Sequence, residues 1–419
     1  MRETRLVVIG LGYVGLPVAL EATRSGMHCS GLDVSERTVT GLAAGRSHVD
    51  DISGDDVAEM LARGFTPTTD PACLADADVI VICVPTPLDE HQAPDLSAVH
   101  AATATIAEHL RPGMLVVLES TTYPGTTDGP VRERLEAGGL VAGRDFHLAF
   151  SPERIDPGNP DFTLRNTPKV VGGLTLDCTD RAVAFYEQIV DVVVPTSGTR
   201  EAELAKLLEN TYRHVNIALV NEMAIFCQEL GVDIWAAIDA AKSKPFGFHA
   251  FYPGPGVGGH CIPIDPNYLS HQVRSLGYQF RFVELAQEIS NRMPAYVVAR
   301  VQRMLNDRSK AVRGSRVLVL GLTYKADIAD DRESPSRPVI RKLLELGADL
   351  ERHDPHLSEF SVDGVAVRLV DDLDTAVDAA DIVVLLQPHS AYDLDDIVTR
   401  ASAVFDTRGV LTGDNVVRL

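Results

Sequence analysis

A thiol and a carboxylate stand four residues apart at Cys261 and Asp265, inside the stretch Gly-Pro-Gly-Val-Gly-Gly-His-Cys-Ile-Pro-Ile-Asp-Pro at 254–266. A thiolate is a nucleophile, and a nearby carboxylate can take a proton. The same stretch could instead be a tight turn around a buried, inert thiol. Lys206 and Asn210 are also four residues apart and share one face of a helical pattern. A cation and an amide aimed into a cleft would stabilise a developing oxyanion; in water the same pair would do nothing. Glu153 follows an apolar run that ends at Phe150, within Ser151-Pro152-Glu153-Arg154. It is either a base at a strand end or one half of a rim ion pair with Arg154.

These groups need elements to position them. The 254–266 stretch carries four glycines and three prolines, so it reads as a loop, neither helix nor central strand. Its glycines allow close approach of backbone to a ligand, and its prolines hold Cys261 and Asp265 in a fixed relation. The 201–230 segment reads as one long helix, with Leu204, Leu207, Leu208, Val215, Leu219, Val220 and Met223 as its apolar positions and Gly231 as its end. Helices follow at 234–242 and 283–305, the latter interrupted by Pro294. Helices this long are common where two subunits pack, so a homodimer through this region is expected.

The first third is organised around Gly10-Leu11-Gly12-Tyr13-Val14-Gly15, which follows the apolar run Leu6-Val7-Val8-Ile9 and opens a helical stretch stopped by Gly26. A second strand, 29–32, ends in Asp33. Strand, glycines, helix, strand and acid in this order make a dinucleotide site: the glycines serve the turn, the pyrophosphate approach and helix packing, and the acid binds the adenosine ribose. Asp33 favours NAD over NADP, because a 2′-phosphate would meet a like charge. Arg37 could reach the adenosine side or simply sit in water at a helix start. Further strands, 79–84, 115–118 and 147–150, end in polar residues, which makes Thr86 and Thr121 candidates for cofactor or water contacts. Both could equally cap turns.

The last third repeats the pattern from Arg316-Val-Leu-Val-Leu-Gly321 onward, but its turn is Gly-Leu-Thr-Tyr-Lys, so a second pyrophosphate is not expected there in the same way. Lys325, at that strand's end, could meet an anionic substrate. The expected class is α/β: two doubly wound, Rossmann-like domains joined by a central helical region. The expected divisions are an NAD-binding domain at 1–198, a helical dimerisation domain with the cysteine loop at 199–310, and a substrate-binding domain at 311–419.

Across 419 residues the formal net charge is -21, which argues against nucleic acid and anionic membrane surfaces as partners. It leaves room for an anionic small ligand at helix N-termini and local basic groups. The six cysteines form no C-x-x-C unit, so neither a metal site nor a dithiol centre is expected. Scattered single cysteines, with no apolar run of transmembrane length and no signal peptide, suit a cytoplasmic protein.

In order along nearly the whole chain stand Gly10-Leu-Gly-Tyr-Val-Gly15, Glu119-Ser-Thr, Ser151-Pro-Glu-Arg154, Lys206-Leu-Leu-Glu-Asn210, Gly258-Gly-His-Cys261-Ile-Pro-Ile-Asp265, and Gly321-Leu-Thr-Tyr-Lys325 with Asp331-Arg332. Together these resemble the UDP-sugar 6-dehydrogenase family. Lys244-Pro-Phe-Gly-Phe and Phe251-Tyr-Pro-Gly-Pro-Gly look most like its UDP-N-acetylglucosamine branch. The resemblance implies NAD-dependent oxidation of a sugar C6 hydroxyl to the acid, with Cys261 carrying a thiohemiacetal and then a thioester. It implies Asp265 as base, Glu153 and Thr121 for the hydrolytic water, and Lys206 with Asn210 at the oxyanion. It places the UDP-sugar against Phe150, Glu153, Arg154, Lys325 and the loop residues Tyr252, Gly254, Gly256 and Gly258, and Arg332 near the cofactor. UDP-glucose members often carry Lys before the aspartate, where this chain has Ile264, and an Arg near Lys244-Pro245; both departures fit a changed sugar pocket. His214 and His249 are unusual for the branch and carry no implied role.

Overall fold

The computed structural model describes residues 4–89, 93–156, 158–259 and 262–419. Its contacts divide the chain into two units, Met1–Glu209 with Asn267–Tyr278, and Asn210–Pro266 with Gln279–Leu419.

The first unit holds a sheet of β1 (Arg5–Ile9), β2 (His28–Leu32), β3 (Thr66–Thr68), β4 (Val79–Ile82), β5 (Leu115–Leu118), β6 (His147–Phe150), β7 (Lys169–Gly173) and β8 (Val193–Pro195) in the order β3-β2-β1-β4-β5-β6-β7-β8. Every pairing is parallel except β6 with β7. The central strands β4 and β5 are buried at every residue. That is why their sequences run apolar without alternation, as in sheets covered on both faces. The strand order reverses between β1 and β4, so a ligand crevice belongs at the carboxyl ends of these two strands. Sequence periodicity misses β3, β7 and β8. The β7 run ends in two glycines because a Cβ on Gly172 would stand 2.1 Å from the Gly198 carbonyl oxygen, and one on Gly173 2.2 Å from the Thr179 nitrogen.

The second unit contains a six-stranded parallel sheet and a small antiparallel hairpin. In chain order its strands are β9 (Arg316–Leu320), β10 (Asp349–His353), the hairpin β11 (Ser361–Val362) and β12 (Val365–Ala366), β13 (Arg368–Leu369), β14 (Ile382–Leu385), β15 (Val404–Asp406) and β16 (Val416–Arg418). The sheet order is β13-β10-β9-β14-β15-β16. One face is covered by helices of the middle of the chain: Val220, Ala224, Trp235, Met293, Val297 and Val301 share a core with Val317, Val319, Val384 and Phe405. The helix Arg281–Asp307 continues through Pro294, which is buried within it. No described helix is long and apolar enough to cross a membrane.

The two sheets open with the same device. Gly10, at φ +89°, donates to the Leu32 carbonyl, and Asp33 accepts from Leu11 N–H at 2.9 Å and Ser35 N–H at 2.8 Å. Gly321, at φ +76°, donates to the His353 carbonyl, and Asp354 accepts from Leu322 N–H at 2.6 Å and His356 N–H at 2.8 Å. They differ at the acid. Asp33 is half-buried, whereas Asp354 is enclosed and engaged by His389 Nε2 at 3.1 Å. The group that could meet a ribose in the first unit is covered by the protein's own imidazole in the second.

Candidate active site

In the first unit the three glycines of the opening motif have separable reasons. A Cβ on Gly10 would stand 2.6 Å from the Cys83 carbonyl oxygen, and one on Gly15 only 1.9 Å from that of Gly10. Nothing of the protein lies within 4 Å of a Cβ on Gly12. Gly10 and Gly15 therefore serve turn and helix packing, while Gly12 leaves its side open, which fits the pyrophosphate of a dinucleotide at the start of the Gly15–Arg24 helix. Asp33 still has acceptor capacity for ribose hydroxyls beside its two backbone bonds. Tyr13 donates to Asp50 at 3.2 Å, Val14 is half-buried, and Arg37 is exposed in the first turn of the Glu36–Ala43 helix. Gly15→Ala is expected to weaken NAD binding by at least about tenfold, because the methyl must displace the turn itself; titration calorimetry with NAD checks this.

Thr86 is buried, and its carbonyl accepts from Tyr268 Oη at 2.8 Å. Thr121 is half-buried just past β5. Its segment is held by a residue that sequence reading passed over. Glu203 is fully buried and accepts from Gly125 N–H at 2.7 Å, Thr127 N–H at 2.9 Å, Thr127 Oγ1 at 2.7 Å and Thr122 Oγ1 at 3.4 Å. Burial pushes its carboxyl up to about 7, against the hydrogen bonds that pull it down. A carboxyl raised on folding stabilises most below its unfolded value, and that contribution is lost as pH rises through the folded one. Relative to Glu203→Gln, the wild type is expected to lose thermal stability between pH 4.5 and about 7 and to change little above. Melting curves of both proteins across that range test the sign.

Glu153 does not pair with Arg154. Lys206 Nζ donates to Glu153 Oε2 at 3.0 Å, with both side chains less than a tenth exposed. Arg154 instead binds Glu209 at 2.6 Å and the Pro168 carbonyl at 2.6 Å. Behind Glu153 lies a buried ion pair, also unforeseen: Lys169 Nζ is 2.8 Å from Glu119 Oε2 and donates to the Pro152 carbonyl at 3.3 Å, while Tyr186 Oη donates to Glu119. Phe150 is fully buried, so its ring lies inside this unit and not on a surface.

In the second unit, Asn210 Nδ2 donates to Asp265 Oδ2, with both residues buried. Asp265 opens the helix Asp265–Ser275. The expectation of loop through Pro266 is thus corrected at its end: proline fits the first turn of a helix, where its missing N–H is not needed. Cys261 and His260 lie outside the described residues. Of the other cysteines, burial pushes the thiol of Cys29 up to about 12 and that of Cys73 up to about 11, which suppresses thiolate at both.

The loop glycines approach protein. A Cβ on Gly258 would stand 2.7 Å from Tyr324 Cβ, and one on Gly259 2.8 Å from the Tyr324 ring. Gly256, at φ +138°, faces Pro335. Gly254 N–H is held by Asn221 Oδ1 at 2.9 Å, and its open side faces the guanidinium of Arg408, another residue that sequence reading passed over. Tyr252 is 45% exposed and stacks on Trp235 at 6.0 Å. Lys325 is half-buried after β9, with its carbonyl bound by Thr323 Oγ1. Arg332 is exposed and binds Asp330 through two nitrogens. His249 accepts or donates at Tyr212 Oη, 2.6 Å away. Asp327, His356 and His389 bring donor atoms within 4.8 Å of one another. Both nitrogens of His389 are already engaged, by Asp327 N–H at 2.9 Å and by Asp354.

The helix Thr199–Leu230 organises these contacts. At 100° per residue, Glu203, Lys206, Asn210 and Asn221 fall in a stripe about 60° wide. All four are buried, and each grips a segment of its own unit: the 122–127 turn, Glu153, Asp265 and Gly254. Leu204, Leu208, Leu219 and Leu230 lie on the opposite side and are 43%, 64%, 51% and 69% exposed. The apolar positions expected to form one core face are therefore split, with Leu207 and Val220 inside.

A glycine turn built for a dinucleotide, an acid free to take ribose hydroxyls and a buried lysine–glutamate pair in the same unit define a nucleotide-linked dehydrogenase. Residues 4–190 match the NAD binding domain of the UDP-glucose/GDP-mannose dehydrogenase family, residues 200–292 its central domain and residues 318–413 its UDP binding domain. The chain is 34% identical to the UDP-N-acetyl-D-mannosamine dehydrogenase of Methanococcus maripaludis, over 97% of this chain and 93% of that one. It is 35% identical to the UDP-N-acetyl-D-glucosamine 6-dehydrogenase of Pseudomonas aeruginosa, over 85% and 84%. The solved UDP-D-ManNAc dehydrogenase of Pyrococcus horikoshii superposes with a TM-score of 0.90 at 31% identity, covering 99% of this chain and 98% of that one. The chain belongs to the UDP-glucose/GDP-mannose dehydrogenase family and is an NAD-dependent UDP-sugar dehydrogenase.

Proposed function

We propose that the protein oxidises the C6 hydroxyl of UDP-N-acetylglucosamine to the carboxylate, in two successive hydride removals. The observation that carries this reading is the pair of contacts one turn apart on one helix, Lys206 with Glu153 and Asn210 with Asp265. The names of the two curated relatives support an N-acetylhexosamine as the sugar.

Two NAD in succession, one per oxidation, would supply the hydride acceptor; Gly10, Gly12, Gly15 and Asp33 would hold each, with Tyr13, Val14, Arg37, Thr86, Thr121 and Arg332 as the remaining contacts. Asp265, directly or through water, takes the C6 hydroxyl proton as the hydride leaves. Lys206 and Asn210 stabilise the negative oxygen. The Cys261 sulfur bonds to the aldehyde carbon, giving a thiohemiacetal; loss of its hydride and hydroxyl proton leaves a thioester. Water, activated by Glu153 and held by Thr121, adds to the thioester, expels the thiolate and releases the acid. A covalent nucleophile keeps the aldehyde from escaping between oxidations. Arg154, Lys325 and the Tyr252, Gly254, Gly256 and Gly258 backbone complete the UDP-sugar contacts. In this reading 1–198 binds NAD, 199–310 carries catalysis and 311–419 binds the nucleotide. The exposed apolar side of the Thr199–Leu230 helix is what a homodimer would cover, and the reaction belongs in the cytoplasm.

NADH formed per sugar consumed tests the proposal, with UDP-N-acetylglucosamine, UDP-N-acetylmannosamine and UDP-glucose offered separately. Two NADH with the first and little with the others is the expected result. Two NADH with another sugar would move the substrate and keep the chemistry; one NADH would remove the covalent mechanism.

A further inference from the structure

His214 lies on the same helix stripe, one turn beyond Asn210, and is fully buried. Neither of its ring nitrogens has a hydrogen-bond partner. The four polar side chains that share its stripe each hold a segment of chain; this one holds none. A neutral imidazole carries one N–H and one lone pair, and leaving both unanswered in the interior is costly.

His214 has company. Thr211 Oγ1 and Asn221 Nδ2 on the same helix, and Ser290 Oγ on the Arg281–Asp307 helix, are also buried without partners. The two helices meet where Val215 and Ala218 pack against Ala286 and Ile289, so His214 and Ser290 are sequence neighbours of that contact on either side. The Ser290 carbonyl stands 3.4 Å from a Cβ built on Gly256, beneath the glycine loop. Charge does not answer the orphaned atoms. Burial pulls the imidazole down to about 4, and no carboxylate or cation contributes to that shift. Glu288 and Arg292 of the facing helix pair with each other and are well exposed. What remains is an uncharged ligand with several donors and acceptors. An ordered water needs two to four polar partners; the His214 imidazole and the Thr211 hydroxyl, three residues apart on one helix, are neighbours that supply two, whereas Asn221, about 15 Å further along the helix than Thr211, is out of reach of the same water.

We propose that His214 holds an internal water between these two helices and, through it, steadies the Asn210 amide that donates to Asp265. His214 is then a positioning residue for the oxidation proposed above, and the inference rests on that reading. The Asn210 amide can turn over at little steric cost. Turned over, it would present oxygen to the Asp265 carboxylate. A donor fixed against its oxygen end keeps the N–H₂ end on Asp265.

The test compares His214→Leu, which keeps bulk and removes both polar atoms, with His214→Gln, which keeps a donor and an acceptor. His214→Leu is expected to lower kcat about tenfold, with KM for NAD within about twofold. Its kcat–pH acid limb is expected to move to higher pH, because Asp265 loses a donor to its charged form. His214→Gln is expected to recover kcat and the acid limb. Wild-type kcat and acid limb in His214→Leu would overturn the proposal, as would failure of both variants together. A measurement without turnover tests the buried, neutral state of the ring that the proposal requires. In ¹⁵N-histidine spectra assigned with His214→Gln, His214 is expected to stay a single neutral tautomer with a slowly exchanging N–H down to pH 5.5. A ring titrating near the ordinary histidine value with fast exchange would overturn it. Wild type that reduces no NAD with any UDP-sugar would sink the proposed reaction, and leave the buried state of His214 to the spectra.

Discussion

Lys206→Met is expected to lower kcat by about 10²–10³-fold and to destabilise the protein at the same time. The two losses have different origins. The catalytic loss comes from removing a preorganised cation from the oxygen that becomes negative. The stability loss comes from Glu153, whose carboxylate sits 3.0 Å from Lys206 Nζ with both side chains under a tenth exposed. Breaking such a pair from one side leaves an uncompensated buried charge, at about 3–5 kcal/mol. Adding Glu153→Gln to Lys206→Met removes that charge, so the double variant is expected to regain thermal stability without regaining NADH production. Melting curves and initial rates on the two single variants and the double variant separate the effects. A Lys206→Met protein with wild-type rate would remove Lys206 from the mechanism.

Asp265→Asn should be the cleaner catalytic lesion. Loss of a general base costs about 10²–10⁴ in rate. The fold has reason to survive. Asp265 opens the Asp265–Ser275 helix, and its oxygen receives the Asn210 amide. An asparagine there can turn its own carbonyl toward Asn210 and keep that bond. What it forfeits is a negative charge at a helix N-terminus, about 0.3–1 kcal/mol. The expected result is a protein with nearly unchanged melting behaviour and NAD affinity that forms NADH hundreds of times more slowly. Loss of rate in step with loss of folded protein would mark Asp265 as structural.

The parts of this molecule that sequence could show are those whose constraint is local. Gly10, Gly12, Gly15 and Asp33 lie within one strand-turn-helix-strand unit, and their order alone carries the meaning. The loop character of 254–259 is readable in the sequence, but the reason for its glycines is not. A sequence shows that a Cβ is absent at Gly258 and Gly259 and cannot show that Tyr324 fills the space. The Lys206–Asn210 spacing was legible, while their partners were set by chain more than fifty residues away. Glu203 and Asn221 were within reach: both lie in register with Lys206 and Asn210, and a polar residue repeating on one helix face beside an apolar ridge is a signal that hydrophobic periodicity alone discards. Lys169 and Glu119 left no such trace, because their pairing joins the ends of separate strands.

The stripe on the Thr199–Leu230 helix also constrains which length changes the chain can tolerate. Inserting a single residue between Glu203 and Asn221 turns everything after it by about 100°, so no member downstream would still face its segment, while every apolar contact would remain chemically possible. A gap or insertion there cannot be repaired by a nearby compensating substitution; only a second change of opposite length within the same helix restores the phase. Exposed loops absorb a change of length at small entropic cost; this helix absorbs a change of composition more readily than a change of count.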